Sequence, residues 1–260
     1  MSSDDVGEAY ARRPPAFGEV EWRARVDVAA CYRLVARKGW DDLVYTHISR
    51  RLPGRDDAFL INRFGLGFEE VTASNLLVVD FAGQVLAGEG IASPAGFAIH
   101  SAVHRARPDA HCVLHLHTRA GIAVSTLADG LLPLSQPALR FWRDIGIHDY
   151  GGLVFDAPEL ARLIAALGPH PALLLRNHGT LTCGRTVAEA YVLMHTLEQA
   201  CEIQLAALAA APDASRRVMP PDDVLARSHR QLTADPAPEG ALEWPMLLRR
   251  LMRDEPSFAA

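Results

Sequence analysis

Two histidines two residues apart, His115 and His117, lie in the run Val113-Leu114-His115-Leu116-His117, and a third, His178, lies in Arg176-Asn177-His178-Gly179. The first run is apolar between its histidines and reads as a buried strand. Side chains at i and i+2 of a strand point to the same side, so His115 and His117 can converge on one point. Three neutral imidazoles are a sufficient donor set for a divalent transition metal with open coordination positions. Taken singly, each reads as a hydrogen-bonded interior residue, because histidine is commonly part-buried without binding a metal. Taken together, they raise a metal centre as the alternative.

The elements that must position these side chains follow from hydrophobic spacing. Residues 1–20 are polar, contain Arg12-Arg13-Pro14-Pro15 and read as a flexible N-terminal arm. Val26, Ala29, Ala30, Leu34 and Val35 recur at helical spacing between Glu21 and Lys38, and Gly39 ends the segment. Strands are expected at Val44–Leu52 and Ala58–Asn62 around the turn Pro53-Gly54, and at Leu76–Phe81 and Gln84–Leu86 around Ala82-Gly83. A helix starts behind Ser93-Pro94, since serine caps and proline suits the first turn, and runs to about Arg107. The histidine strand, Cys112–His117, precedes a helix over Thr118–Leu127. Strand Leu153–Phe155, helix Pro158–Leu167 and strands Ala172–Arg176 and Thr180–Cys183 follow. The segment Val187–Ala211 has the clearest helical stripe, and a second amphipathic helix is expected at Leu242–Met252. One domain over residues 21–212 and a C-terminal extension over 213–260, packing on the domain or on a neighbouring subunit, account for the chain. Strand hairpins followed by helices flanking later strands indicate a layered α/β domain.

Bulk properties exclude several classes. A net charge of −5 over 260 residues gives no electrostatic case for nucleic acid or an anionic membrane. No apolar run approaches the roughly 18 residues that span a bilayer. The acidic start, Met1-Ser2-Ser3-Asp4-Asp5, is unlike a secretory signal. Cys31, Cys112, Cys183 and Cys201 form no CxxC pair and read as reduced packing residues, which points to a cytoplasmic protein.

Several segments together resemble the class II aldolase/adducin family. They are Gly39-Trp40-Asp41-Asp42-Leu43, Thr46-His47-Ile48-Ser49-Arg50, Asn62-Arg63-Phe64-Gly65, Pro94 to His100, His115-Leu116-His117 and Arg176-Asn177-His178-Gly179. The resemblance implies a three-layer α/β/α fold around a mostly antiparallel sheet. It implies a homotetramer with sites between subunits, and a divalent metal, zinc first and manganese or iron as alternatives, on His115, His117 and His178. In such aldolases the metal stabilises the charge left by carbon–carbon cleavage.

This chain departs from the aldolase pattern at the positions that handle protons and phosphate. The family's acid, four residues before the position of His100, is Gly96 here, and a positioned acid/base is worth about 10²- to 10⁴-fold in rate. His47, Phe64, Pro94 and Ala95 stand where the family has phosphate-binding residues, so a sugar phosphate is a poor fit. These replacements, with His100-Ser101-Ala102-Val103-His104 and Leu131-Leu132-Pro133-Leu134-Ser135, bring the chain closer to adducin heads.

His100 is the candidate fourth ligand or replacement acid/base, one helical turn after Gly96. His47, Arg63, Arg140 and Tyr150 are candidates for substrate binding: His47 as a donor at the former phosphate position, Arg63 as partial compensation there, Arg140 as a carboxylate fork and Tyr150 as a proton donor. His104 reads as packing, and Asn177 as the residue that shapes the turn before His178. The function expected is a metal-dependent lyase, by aldol cleavage or decarboxylation, acting on a small non-phosphorylated hydroxy-carbonyl or carboxylate substrate. The alternatives are a non-catalytic adducin-like assembly module and a non-haem iron oxygenase.

Overall fold

The computed structural model describes residues 4–152 and 157–260. Helices α1 (Asp4–Ala11) and α2 (Glu19–Arg37) precede strands β1 (His47–Arg51), β2 (Ala58–Ile61), β3 (Leu77–Asp80) and β4 (Val85–Ala87). Helix α3 (Pro94–Ala106) leads into β5 (Cys112–Leu116), followed by α4 (Arg119–Ser125), α5 (Gln136–Leu139) and β6 (Gly146–His148). Then come α6 (Ala157–Leu167), β7 (Ala172–Leu175), β8 (Gly179–Gly184), the long α7 (Val187–Ala210), α8 (Asp222–Leu232) and α9 (Glu243–Asp254).

The strands of the described residues form one sheet in the order β4-β3-β2-β1-β5-β8-β7-β6. Every pairing is antiparallel except that of β6 with β7. Strand β5 lies near the middle and is covered on both sides. Cys112, Leu114 and Leu116 pack with residues of α2, α7 and α9, whereas Val113 packs with Ile99 and Val103 of α3 and Leu163 and Leu167 of α6. Helices on both faces make three layers. A strand buried on both faces needs apolar residues at successive positions, which is what Cys112–Leu116 supplies apart from His115. Truncating Leu114 to alanine would open a cavity between sheet and helices, at a cost of about 2–5 kcal/mol.

The face that carries Val113 also carries His115, and β1 lies beside it with His47 directly opposite His115 and Ser49 opposite Val113. Tyr32 of α2 holds this strand in place: its hydroxyl accepts the Ile48 N–H at 2.8 Å and donates to Asn62 Oδ1 at 2.8 Å. Helix α3 starts as its sequence requires, with Pro94 in the first turn and the Ser93 hydroxyl accepting the Gly96 N–H. Its Gly96, His100 and His104 are spaced by four residues and face His47 and Ser49, spaced by two. Four helical residues rise about 6 Å and two strand residues about 6.6 Å, so the two rows stay in step.

Two expectations need correction. Where a flexible arm is expected, residues 4–11 form a helix: Ala9 is fully buried, and the Tyr10 hydroxyl donates to Asp27 Oδ1 at 2.7 Å. The same oxygen accepts the Trp244 indole N–H at 3.0 Å, so Asp27 ties both ends of the chain to α2. The short β6 stands where no strand is expected, because three residues carry too little alternation to register. The strand expected at Leu153–Phe155 lies outside the described residues. In the C-terminal extension, Trp244, Leu248, Leu251 and Met252 of α9 are buried against the domain itself. Among the described residues no helix is long and apolar enough to cross a membrane.

Candidate metal centre

His115, His117 and His178 come together, each offering one ring nitrogen, with those atoms all within 4.8 Å of one another. His115 and His117 arrive from β5 and the residue just beyond it. His178 arrives from the tight connection between β7 and β8, where its N–H closes a turn onto the Leu175 carbonyl at 3.1 Å. Asn177 occupies the left-handed region at φ 58°, a conformation asparagine tolerates better than most residues. Gly179 completes the approach: a Cβ there would lie 2.4 Å from the Leu116 carbonyl oxygen and 3.1 Å from His117 Cδ2. Only a residue without a side chain lets the turn settle against the end of β5.

Hydrogen bonds fix which nitrogen His115 and His117 present. His115 Nδ1–H donates to the Thr180 carbonyl at 3.0 Å, and His117 Nδ1–H donates to Asp42 Oδ2 at 2.8 Å. Both rings therefore direct an Nε2 lone pair inward. His117 Nε2 is buried without a hydrogen-bond partner among the described residues, a costly state for a polar atom unless something occupies the site. His115 Nε2 and His178 Nε2 stand 3.3 Å apart, the separation of about 3.3 Å expected of two nitrogens that share a tetrahedral zinc at about 2.0–2.1 Å. Burial, reinforced by neighbouring rings, pushes the His178 imidazole down to about 4 and the His115 imidazole well below the ordinary histidine range. Inward ring nitrogens are what a divalent cation needs, and the carboxylate on His117 is the support that metal-bound histidines commonly have. The residues present fit a metal ion.

The other candidates divide. His47 and His100 lie beside the cluster but bond to each other: His47 Nδ1 and His100 Nε2 are 3.0 Å apart. The second nitrogen of His100 meets Ser49 Oγ at 2.5 Å. With both nitrogens engaged, His100 does not join the converging set. Tyr150 is exposed and lines a small cleft with His148 and His178. Arg63 is exposed and lies along Gly90. Arg140 is placed elsewhere: it pairs with Glu239 at 2.5 Å and lines a cavity with Gly184 and Arg185. That is the far end of β8 from Gly179, at roughly 3.3 Å per residue along the strand. Sequence reasoning gave no role to Asp42, although it lies in the segment Gly39 to Leu43 that carries part of the resemblance, or to Ser49, which strand alternation puts on the face of His47.

Residues 26–205 match the family described as Class II Aldolase and Adducin N-terminal domain. The chain belongs to that family. A Caulobacter vibrioides protein named for aldolase class 2 is 46% identical over 242 residues, covering 93% of each chain. Mouse alpha-adducin is 44% identical over 201 residues, which is 75% of this chain but 27% of the adducin. Among solved structures, an aldolase II superfamily protein from Pseudomonas syringae superposes with TM-score 0.89 at 45% identity, covering 98% of this chain and 100% of that one. L-fuculose 1-phosphate aldolase from Glaciozyma antarctica superposes with TM-score 0.79 at 29% identity, covering 96% and 98%. The family match spans every strand of the sheet and all three clustered histidines.

Proposed function

We propose that this protein is a divalent-metal-dependent lyase, acting by aldol cleavage or decarboxylation on a small non-phosphorylated hydroxy-carbonyl or carboxylate substrate. The observation that carries the reading is the convergence of three Nε2 atoms whose opposite nitrogens, in His115 and His117, are held by Thr180 and Asp42. His115, His117 and His178 would hold the metal, zinc first and manganese or iron as alternatives. A bound divalent cation would supply Lewis-acid stabilisation of negative charge developing on a substrate oxygen.

The start of α3 argues against phosphate. A helix N-terminus binds phosphate through free backbone N–H groups, but Pro94 has none and the Gly96 N–H is taken by Ser93. Relatives named as sugar-phosphate aldolases support the reaction class, while these residues support a different substrate. The similarity to alpha-adducin favours a second reading, an assembly module in which the histidines hold a structural metal or none.

Metal analysis of protein purified without added metal tests the proposal. About one zinc or manganese per chain, lost in His178→Ala, is the expected result. Iron would instead favour an oxygenase. Failure of any divalent metal to bind would overturn the lyase reading and leave the assembly module. The same preparation, sized in solution, tests the homotetramer proposed with it.

A further inference from the structure

Helices α2, α7 and α9 cover the face of the sheet to which Leu114 points, the face opposite His115. Where they meet at the surface they leave a cavity of about 210 Å³, lined by Leu34, Arg37, Lys38, Tyr191, Leu247 and Arg250. The two outer helices build it alike. Leu34, Arg37 and Lys38 stand at i, i+3 and i+4 at the end of α2, and Leu247 and Arg250 stand at i and i+3 on α9. Each helix therefore offers a leucine with a cation one turn further on. Tyr191 comes from α7, its ring set edge-on to Trp244 with centroids 5.9 Å apart.

Burial divides this lining into a floor and a rim. Leu34 and Tyr191 are 5% and 3% exposed and Leu247 is half-buried, whereas Arg37, Lys38 and Arg250 are exposed. The rim cations differ in what they already hold. Arg37 is spent on the protein's own carboxylates: it bonds to Asp254 Oδ2 at 2.7 Å and faces Glu255 at 3.5 Å. Lys38 lies over the Trp40 ring, 5.5 Å from its centroid. Neither Lys38 nor Arg250 has an ion-pair partner among the described residues. The Tyr191 hydroxyl is unspent too: it has no hydrogen-bond partner among the described residues, although its side chain is buried. Burial pushes that hydroxyl up, and the charge of Arg250 opposes the push, which sets the guanidinium close to the oxygen.

We propose that this cavity binds a small organic carboxylate with a ring-sized apolar body. Arg250, Lys38 and the Tyr191 hydroxyl hold the carboxylate, and Leu34 and Leu247 carry the body. A cavity of about 150 Å³ holds benzene, so 210 Å³ leaves room for a ring and one carboxylate group. The planar fork of an arginine matches a carboxylate. A phosphate dianion suits the place less, because the cavity lies at the C-terminal end of α2, the negative pole of its dipole. The site does not depend on the lyase reading. None of its residues is a clustered histidine, and its α9 wall lies beyond residues 26–205, which match the family.

Titration calorimetry of the full chain with benzoate as the probe tests the site. Saturable binding of about one benzoate per chain is expected, with a dissociation constant of about 1 mM or below. Acetate lacks the body and benzyl alcohol lacks the charge. Each should bind at least about 10-fold more weakly, and equal binding of either overturns the proposal. Arg250→Gln removes an exposed charge with no partner to strand, so the fold should stand while benzoate binding weakens about 10-fold. Unchanged binding in that variant also overturns the proposal. Tyr191→Phe keeps the ring and should cost a few-fold; if it fails to fold, Arg250→Gln still decides. A carboxylate is itself a metal ligand, so His178→Ala is the counter-test and should leave benzoate binding as it is. Binding lost in His178→Ala and kept in Arg250→Gln would put benzoate at the histidine cluster and overturn the proposal. No benzoate binding at all, as when a second copy of the chain covers the cavity, overturns it too, and so does displacement of benzoate by equimolar inorganic phosphate.

Discussion

Six buried or half-buried histidines form two neighbouring groups that use one chemical group in opposite ways. In the first, His115, His117 and His178 converge, and separate acceptors hold the outer nitrogens of His115 and His117. In the second, His47, His100 and His104 run in a line with Ser49, and their nitrogens are spent on one another. The first group leaves three nitrogens aimed at a point; the second does not. The difference lies in where the acceptors are. A carboxylate and a carbonyl behind a ring release its inner nitrogen for a cation, whereas a ring behind a ring passes the same polarity along.

Acid should have the largest effect, and it acts on both groups. Burial pushes His47 and His104 down to about 3 and His178 to about 4, against an ordinary value of 6.5. Below pH 6.5 the unfolded chain takes up protons that the folded chain refuses, so stability is complete above that pH and falls as pH drops toward 3. Each such histidine costs about 1.4 kcal/mol per pH unit across its window. Urea unfolding of the metal-free protein should show a steep loss of midpoint between pH 6.5 and 4. Zinc should resist that loss by competing with protons at the converging group only, which separates the two groups in one titration.

Ligand removal comes next. His178→Ala takes away one of three donors and should weaken zinc binding by at least about 100-fold, measured by competition with a chelator. The row of His47, His100 and His104 should keep its tautomers. Asp42→Asn should act more gently. It keeps a hydrogen-bonding group behind His117 but removes the charge, and a loss of about 10-fold in zinc affinity is expected. A larger loss than for His178→Ala would mean that Asp42 does more than support His117.

Much of this was legible from pattern. Alternation in Val113–His117 put His115 and His117 on one side, and helix and hairpin signals placed α2, α3, α7 and β1 to β5 within a few residues of their bounds. The third ligand needed tertiary information: His178 meets His115 because Gly179 allows a turn to rest on Leu116, and nothing local to either segment says so. The surroundings of His47 have a similar origin: a histidine at a former phosphate position suggests a substrate donor, and only the fold brings its Nδ1 to 3.0 Å from His100 Nε2. The N-terminal helix was missed because its anchor, Asp27, lies outside the segment that it orders.

Gly96 tests whether the second group tolerates crowding that the first never meets. Glycine to alanine inside a helix ordinarily stabilises by roughly 0.5–1 kcal/mol. Here the added methyl would meet the His47 ring at 2.5 Å, and the ring cannot retreat without breaking its bond to His100. Overpacking of this kind typically costs about 1–3 kcal/mol, so the clash should outweigh the helical gain. Gly96→Ala is expected to lose about 1–2 kcal/mol in urea unfolding and to disturb the His47 tautomer, with zinc affinity unchanged within a few-fold. The sign decides the matter. A variant that is more stable than the parent would mean that the His47 imidazole moves aside freely, and a ring that moves aside freely is not held by its bond to His100.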